Sequence, residues 1–376
     1  MITGLLLEPV PERRVSLLPE QAEVLVKKNV PVLCEEGAGI QAGAVDGVYA
    51  QKGISIAARA EILQQADLVL SIHPLPEHDI ALLKPGAVLI GVYQPLYKYV
   101  TIKQWADKGI TTFSLDMIPR TTRAQSMDVL SSQANIAGYK AVLAAASIYP
   151  KYFPMLMTAA GSVAPAKVLI LGAGVAGLQA VATARRLGAV VEVFDTRPAV
   201  KEEVMSLGAK FVEVEGAADA SKAGGYAVEQ TEEYKQKQQQ RIAEAAAKAD
   251  VIITTAQIPG KPAPLLVTED MLAGMKYGSV IIDIAAATGG NTAKTVNNQT
   301  VMYNGITIVG DSSLASSVPS DASKLYGKNV LNFLQLILTK AGEINLDFAD
   351  DIVKGACITY DGRVVNERVA NLLNTQ

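Results

Sequence analysis

One short stretch constrains the fold of this chain more than any other: Lys167-Val-Leu-Ile-Leu-Gly172-Ala-Gly174-Val-Ala-Gly177-Leu-Gln-Ala. An apolar run rich in branched residues meets three glycines spaced G-x-G-x-x-G, and a helical pattern follows. In that context each glycine has a physical task. Gly172 permits the tight turn from strand to helix. Gly174, without a Cβ, lets a pyrophosphate approach the backbone. Gly177 lets helix and strand pack closely. The helix that opens at Val175 and Ala176 turns free N–H groups and partial positive charge toward a bound phosphate. The following strand, Val190–Phe194, ends at Asp195, about 20 residues past the glycines, where a carboxylate accepts hydrogen bonds from both hydroxyls of a ribose and repels a 2′-phosphate. The motif therefore predicts an NAD(H) site. Arg197, two residues on, also suits a 2′-phosphate and leaves NADP(H) in view.

The strand–turn–helix unit sits inside a longer series. Apolar runs at Val168–Leu171, Val190–Phe194, Val251–Thr255, Val280–Ile284 and Thr307–Val309 alternate with helical patterns at Ala176–Leu187, Ala199–Leu207 and Glu232–Ala249. An earlier series has runs at Ile2–Leu7, Val30–Cys34, Leu68–Ile72, Ala87–Val92 and Thr111–Leu115, with helical patterns at Pro19–Lys28 and Ala57–Gln65. Strands that alternate with helices predict parallel sheets covered on both faces. The two series share local wording in the same order: Ala66-Asp67 with Ala249-Asp250, Pro85-Gly86 with Tyr277-Gly278, and Gly109-Ile110-Thr111 with Gly305-Ile306-Thr307. The expected fold is α/β, with two Rossmann-like doubly wound parallel-sheet domains. Long helical runs at Ser126–Tyr149 and Ala322–Ala341 join them, so the chain returns to the first domain. The boundaries are read as 1–130 with 330–376 for the N-terminal domain and 131–329 for the nucleotide-binding domain. A length of 376 residues agrees with two or three domains of roughly 150 residues.

Composition excludes several classes. The net charge of −3 offers no basic excess for a phosphate backbone. Mean hydropathy is +0.22, but the longest apolar stretch, Val168–Ala184, is broken by glycines and falls short of the ~20 residues a bilayer helix needs. Two histidines and two distant cysteines, Cys34 and Cys357, supply no metal-ligand pattern. The N-terminus lacks the basic flank of a signal peptide, so a cytoplasmic protein is expected. One polar segment, Gly216–Gln240, interrupts the second series; loops of that length are functional or disordered.

A second polar cluster, Pro119-Arg120-Thr-Thr-Arg123-Ala-Gln125-Ser126-Met-Asp128-Val-Leu-Ser131-Ser-Gln133, precedes the first long helix. Ser126 or Asp128 suits a helix cap, yet the density of hydrogen-bonding groups exceeds what a cap requires. If the nicotinamide lies in a cleft between the domains, this loop faces it.

With these features in place the chain resembles the NAD(H)-binding component of the proton-translocating NAD(P) transhydrogenases, and more distantly the alanine dehydrogenases. The likeness covers nearly the whole chain. It is carried by RAQSMDVLSSQANIAGYKAV (Arg123 to Val142), LGAGVAGLQA (Leu171 to Ala180), VFDTRP (Val193 to Pro198), GGYAVE (Gly224 to Glu229), IPGKPAP (Ile258 to Pro264) and IDIAAATGGN (Ile282 to Asn291). The resemblance implies a homodimeric subunit that passes a hydride from NADH to NADP+ on a partner component, with a membrane-spanning component coupling the exchange to proton movement. The subunit would lie in the cytoplasm, peripheral to the inner membrane through those partners. The chain ends at Gln376 without a membrane helix, as in the separate-subunit form.

By the same resemblance, Arg120, Gln125, Asp128 and Ser131 form the nicotinamide side, with Gln125, Arg120 and Asp128 the catalytic candidates. Val175, Asp195, Thr196 and Arg197 form the adenosine side. Gly225, Tyr226 and Gln238 belong to a mobile loop that closes over the nucleotide. Gly172, Gly174, Ala176, Gly177 and Gln257 complete the cofactor-binding set, and no metal is expected. A stand-alone alanine dehydrogenase is the competing reading, and a nucleotide-sensing module a third. The dehydrogenases use an arginine, a lysine, a histidine and an aspartate; here those positions hold Arg14, His73, Gln94 and Ala287. A keto acid would find no general acid, whereas hydride exchange between two nicotinamides needs only their placement.

Overall fold

Alternation within each strand builds both cores. A computed structural model describes residues 1–214 and 231–374. In chain order the strands are β1 (Thr3–Leu5), β2 (Val32–Glu35), β3 (Ser55–Ala57), β4 (Leu68–Leu70), β5 (Val88–Gly91), β6 (Thr111–Ser114), β7 (Leu156–Thr158), β8 (Gly161–Val163), β9 (Lys167–Leu171), β10 (Val190–Phe194), β11 (Lys210–Phe211), β12 (Val251–Thr254), β13 (Val280–Asp283), β14 (Thr300–Tyr303), β15 (Ile306–Val309), β16 (Cys357–Tyr360) and β17 (Arg363–Val364). The chain divides into two compact units, Met1–Gln133 with Ser316–Gln376, and Ala134–Ala315.

The first unit holds an eight-stranded sheet in the order β3-β2-β1-β4-β5-β6-β16-β17. β1 to β6 are parallel, and β16 closes the sheet antiparallel to β6. Successive side chains leave opposite faces. Leu68, Leu70, Val88 and Ile90 enter one apolar core, and Val69 and Leu89 the other. Burial on both faces explains why these strands read as unbroken apolar runs. The sequence reading has no strand at β3, β16 or β17. Tyr360-Asp361-Gly362-Arg363 turns with Asp361 at φ 48° and Gly362 at φ 71°, the left-handed pair that joins hairpin strands.

The second unit carries a seven-stranded sheet in the order β11-β10-β9-β12-β13-β15-β14. All neighbours run parallel except β14 against β15. Val168, Ile170, Val251, Ile253, Val280 and Ile282 pack on one face, and Leu169, Leu171, Ile252, Ile281, Ile306 and Ile308 on the other. This is the doubly wound arrangement expected from the sequence. Its strand order reverses between β9 and β12, so the loops beyond their carboxyl ends form the crevice where such sheets take ligands.

Two long helices mark the crossings between the units. Val129–Ile148 carries the chain from the first unit into the second, and Pro319–Ile337 follows directly on its return. Gly138 is the single glycine of the first helix. A Cβ there would lie 2.1 Å from the carbonyl oxygen of Ala176, so only glycine admits this contact with the helix after β9. β7 and β8 form a separate exposed hairpin. Among the described residues no helix is long and apolar enough to cross a membrane, and no cluster of three or more acidic, histidine or cysteine side chains is arranged to hold a metal. Cys34 and Cys357 are buried and free.

Candidate dinucleotide site

The turn after β9 shows why its glycines differ. Gly172 has φ +106°, strained for any side chain, and its Cβ would meet Thr255 Oγ1 at 2.5 Å. Gly177 lies so close to the turn that a Cβ would fall 1.8 Å from the carbonyl oxygen of Gly172. Gly174 is different: it has an ordinary extended conformation (φ −78°, ψ −169°), and its Cβ would meet nothing within 4 Å. It is the N-cap of the helix Val175–Arg186, and no side chain caps that end. An open approach to uncapped N–H groups at a helix start fits a pyrophosphate, so these residues pass the test of fit for a dinucleotide. Val175 is partly exposed and Ala176 buried.

Asp195 follows β10 and is buried. Its Oδ2 accepts the Ala173 N–H at 2.7 Å, which ties it to the glycine turn. Arg197 engages both oxygens: its backbone N–H and Nε donate to Oδ1, each at 2.8 Å, and Nη2 donates to Oδ2 at 2.7 Å. The carboxylate holds the Arg197 guanidinium above its ordinary pKa. Thr196 is half-buried between them.

The other crevice loops are braced from beneath. Thr255 donates to the carbonyl of Gly172 at 3.0 Å. Asn291, fully buried, accepts from Ala256 N–H at 3.0 Å and donates to the carbonyls of Ala256 and Pro264 at 2.9 and 2.8 Å. Asp283, also fully buried, accepts from Asn291 N–H and Thr295 Oγ1, each at 2.6 Å, and from Ala285 N–H at 2.9 Å. Gln257 is exposed above this network and donates to the Ile284 carbonyl at 3.3 Å. The bracing roles of Asp283 and Asn291 were not read from the sequence; their signal is a polar pair inside an otherwise apolar strand–turn segment.

Gly225 and Tyr226 lie outside the described residues. Gln238 is half-buried on the helix Glu232–Ala246. The same helix buries Tyr234, a residue the sequence did not single out; burial pushes its phenol up, and the charge of Asp195 adds to the effect.

Arg120, Gln125, Asp128 and Ser131 belong to the first unit. Arg120 and Gln125 are exposed. Asp128 accepts Ser131 N–H at 2.9 Å and Ser131 Oγ at 2.6 Å, so the two cap the start of Val129–Ile148. Ser126 presents its carbonyl to Asn329 and Asn332, at 2.8 and 2.9 Å. Arg123 pairs with Asp350 and Asp351, which holds the Asp350 carboxyl down at about 2.

Arg14 and His73 meet at one carboxylate in this unit. Arg14 Nε and Nη2 donate to Glu12 at 2.8 and 2.6 Å, and Nη1 donates to Gln133 at 2.7 Å. His73 Nε2 lies 2.8 Å from Glu12 Oε2. Burial raises the Glu12 pKa, but the Arg14 and His73 hydrogen bonds outweigh it and hold Glu12 well below the carboxylate range.

Fold and site together define a two-unit, Rossmann-type dinucleotide-binding protein. Residues 4–137 match the model of the alanine dehydrogenase/PNT N-terminal domain, and residues 141–367 that of its C-terminal domain. The chain belongs to the alanine dehydrogenase/PNT family, on the side of the NAD(P) transhydrogenase alpha subunits. It is 45% identical to the first portion of the NAD(P) transhydrogenase alpha subunit of Rickettsia prowazekii, covering 94% of this chain and 93% of that one. A solved transhydrogenase structure from Sinorhizobium meliloti superposes with a TM-score of 0.88 at 42% identity, over 97% of this chain and 100% of that one. The alanine dehydrogenase of Bacillus subtilis is 27% identical, over 96% of this chain and 91% of the other.

Proposed function

We propose that this chain is the NAD(H)-binding subunit of a proton-translocating NAD(P)+ transhydrogenase. In this reading the second unit holds the dinucleotide: the pyrophosphate lies against Gly172, Gly174, Val175, Ala176 and Gly177, and the adenosine ribose at Asp195, Thr196 and Arg197. Gln257, Gln238 and the segment with Gly225 and Tyr226 complete its surroundings. Gln125 fixes the dihydronicotinamide, and Arg120, Asp128 and Ser131 orient it. A hydride leaves C4 of NADH and enters C4 of NADP+ on a partner component, giving NAD+ and NADPH. Both electrons travel with the hydride, so neither carbon needs a proton donor or acceptor. A membrane-spanning component couples the exchange to proton movement and holds this subunit at the inner membrane.

The observation that carries this reading over a stand-alone amino-acid dehydrogenase is the state of Arg14. A keto acid needs a cation for its carboxylate and an acid for its carbonyl. Arg14 already carries the carboxylate of Glu12, His73 is held on that same carboxylate at 2.8 Å, and Gln94 and Ala287 supply no proton. Placement of rings is the chemistry such residues can perform.

We further propose that the subunit works as a homodimer. The β7–β8 hairpin supports this, because its own apolar side chains stand in solvent, Leu156 37% exposed, Met157 75% and Val163 36%. So large an apolar surface on a short hairpin suits a second copy better than water.

The test has two arms. Purified alone, the chain is expected to bind NADH and to show no reduction of NAD+ with alanine. With the NADP(H)-binding component added, nucleotide exchange is expected. Turnover of alanine by the isolated chain would establish the dehydrogenase instead, and NADH binding with no exchange in any such mixture would leave a nucleotide sensor.

A further inference from the structure

We propose that Arg197, held on Asp195, is the residue that decides which dinucleotide the site accepts; this rests on reading the site as NAD(H)-binding. A lone carboxylate at the end of the second strand selects NAD(H) by binding the ribose hydroxyls and repelling a 2′-phosphate. Here the carboxylate is not alone. Arg197 donates three N–H groups to it and Ala173 a fourth, so each oxygen of Asp195 receives two.

Two consequences follow from charge and from hydrogen-bond capacity. First, a cation and an anion in contact cancel at a distance. The pair is largely shielded from water, with side-chain exposures of 18% for Arg197 and 6% for Asp195, so it acts as one neutral unit. The repulsion that Asp195 exerts on a phosphate is correspondingly small. Second, a guanidinium is the side chain best matched to a phosphate, with planar donors that engage two oxygens at once. Rejection of NADP(H) therefore depends on Arg197 staying folded onto Asp195.

The same contacts act on NAD(H). A carboxylate offers about four acceptor positions, and four N–H groups already occupy them. The ribose hydroxyls must share or displace the guanidinium. Arg197 thus lowers the affinity for NAD(H) while it withholds itself from NADP(H). The Ala173 bond extends the effect to the glycine turn, since movement of the carboxylate pulls on the backbone that faces the pyrophosphate.

The experiment is a double-substitution cycle on the full chain, read by calorimetric titration with NADH and with NADPH. Asp195→Asn keeps an acceptor for Ala173 N–H but removes the charge that holds Arg197. It is expected to tighten NADPH binding about ten- to hundredfold, the effect of one charge-assisted hydrogen bond. Adding Arg197→Ala to that variant is expected to erase the gain. Arg197→Ala alone leaves a bare carboxylate with free lone pairs; the preference for NADH over NADPH, read as the ratio of their dissociation constants, should widen at least about tenfold. Thermal unfolding checks each variant, with Asp195→Ser as the substitute if Asp195→Asn does not fold.

A brace without a selective role gives a different pattern: Arg197→Ala would weaken both nucleotides alike, and the gain in the Asp195 variant would survive loss of Arg197. Either result overturns the proposal and leaves NAD(H) binding standing. A wild-type chain that binds neither nucleotide overturns both.

Discussion

Gly174 and Gly177 stand three residues apart in one motif, yet substitution by alanine should damage different properties. At Gly174 the backbone is extended and a Cβ meets nothing within 4 Å. Alanine is a poorer N-cap than glycine by about 0.5–1 kcal/mol, and it recovers about 0.4–1 kcal/mol by restricting the unfolded chain. Stability should change by less than about 1 kcal/mol, so Tm should move by no more than ~2–4 °C. In the proposed site, the added methyl group fills the space through which the pyrophosphate would reach the helix N-terminus. Losing one charge-assisted bond there weakens binding about ten- to hundredfold. At Gly177 the same methyl group falls 1.8 Å from a backbone oxygen. The helix must retreat by more than an ångström, a cost of about 1–3 kcal/mol or more, and Tm should drop by ~4 °C or more. Calorimetric titration with NADH and thermal unfolding, run on both variants, separate the effects. The reasoning is refuted if Gly174→Ala binds NADH like the wild type, or if it loses as much Tm as Gly177→Ala.

Other outcomes test the remaining structure. Asn291→Ala should cost about 2–4 kcal/mol in chemical unfolding, because the N–H and carbonyl of Ala256 and the carbonyl of Pro264 lose a buried partner. Gly138→Ala should destabilise the chain by at least about 1–3 kcal/mol through its contact with Ala176, measured the same way. Burial pushes the Glu8 carboxyl up to about 7, against the hydrogen bonds it accepts from Ile72 and His73. A raised acid favours the folded state below its unfolded pKa, and that contribution is lost as pH rises through the folded value. Stability should therefore fall between about pH 4.5 and 7, by at most ~3 kcal/mol, with a flatter profile in Glu8→Gln. If the proposed dimer forms through the exposed hairpin, Met157→Glu should leave a monomer in light scattering, with Tm lowered only by the lost association; an unshifted dimer would move that interface elsewhere.

The parallel strands were legible because burial on both faces leaves runs such as Val168–Leu171 and Val280–Ile282 with nothing polar to confuse them. What escaped lies at the sheet edges. Ser55–Ala57 overlaps at Ala57 the helical pattern read over Ala57–Gln65, and Lys210–Phe211 is two residues of pairing imposed by its neighbour. The β14–β15 hairpin did carry a local signature, Tyr303-Asn304-Gly305-Ile306, with Asn304 at φ 48° and Gly305 at φ 77°. Asn-Gly between alternating residues is a hairpin turn, but Gly305-Ile306-Thr307 was read only as an echo of the first series. At the site, the motif located Asp195 but not its state. No spacing rule says that Arg197 turns back onto the carboxylate two residues before it, nor that Glu12 fills the grip of Arg14. Both depend on side-chain directions that local sequence leaves open.

Direct transfer between two nucleotides is the claim on which the account stands, and isotope labelling tests it most directly. NADH carrying deuterium at the transferring C4 position is mixed with NADP+, this chain and the NADP(H)-binding component, and the NADPH formed is analysed by mass spectrometry. The account predicts that the label arrives at C4 of NADPH undiluted by solvent hydrogen. NADPH formed without the label, or with hydrogen drawn from water, would contradict it.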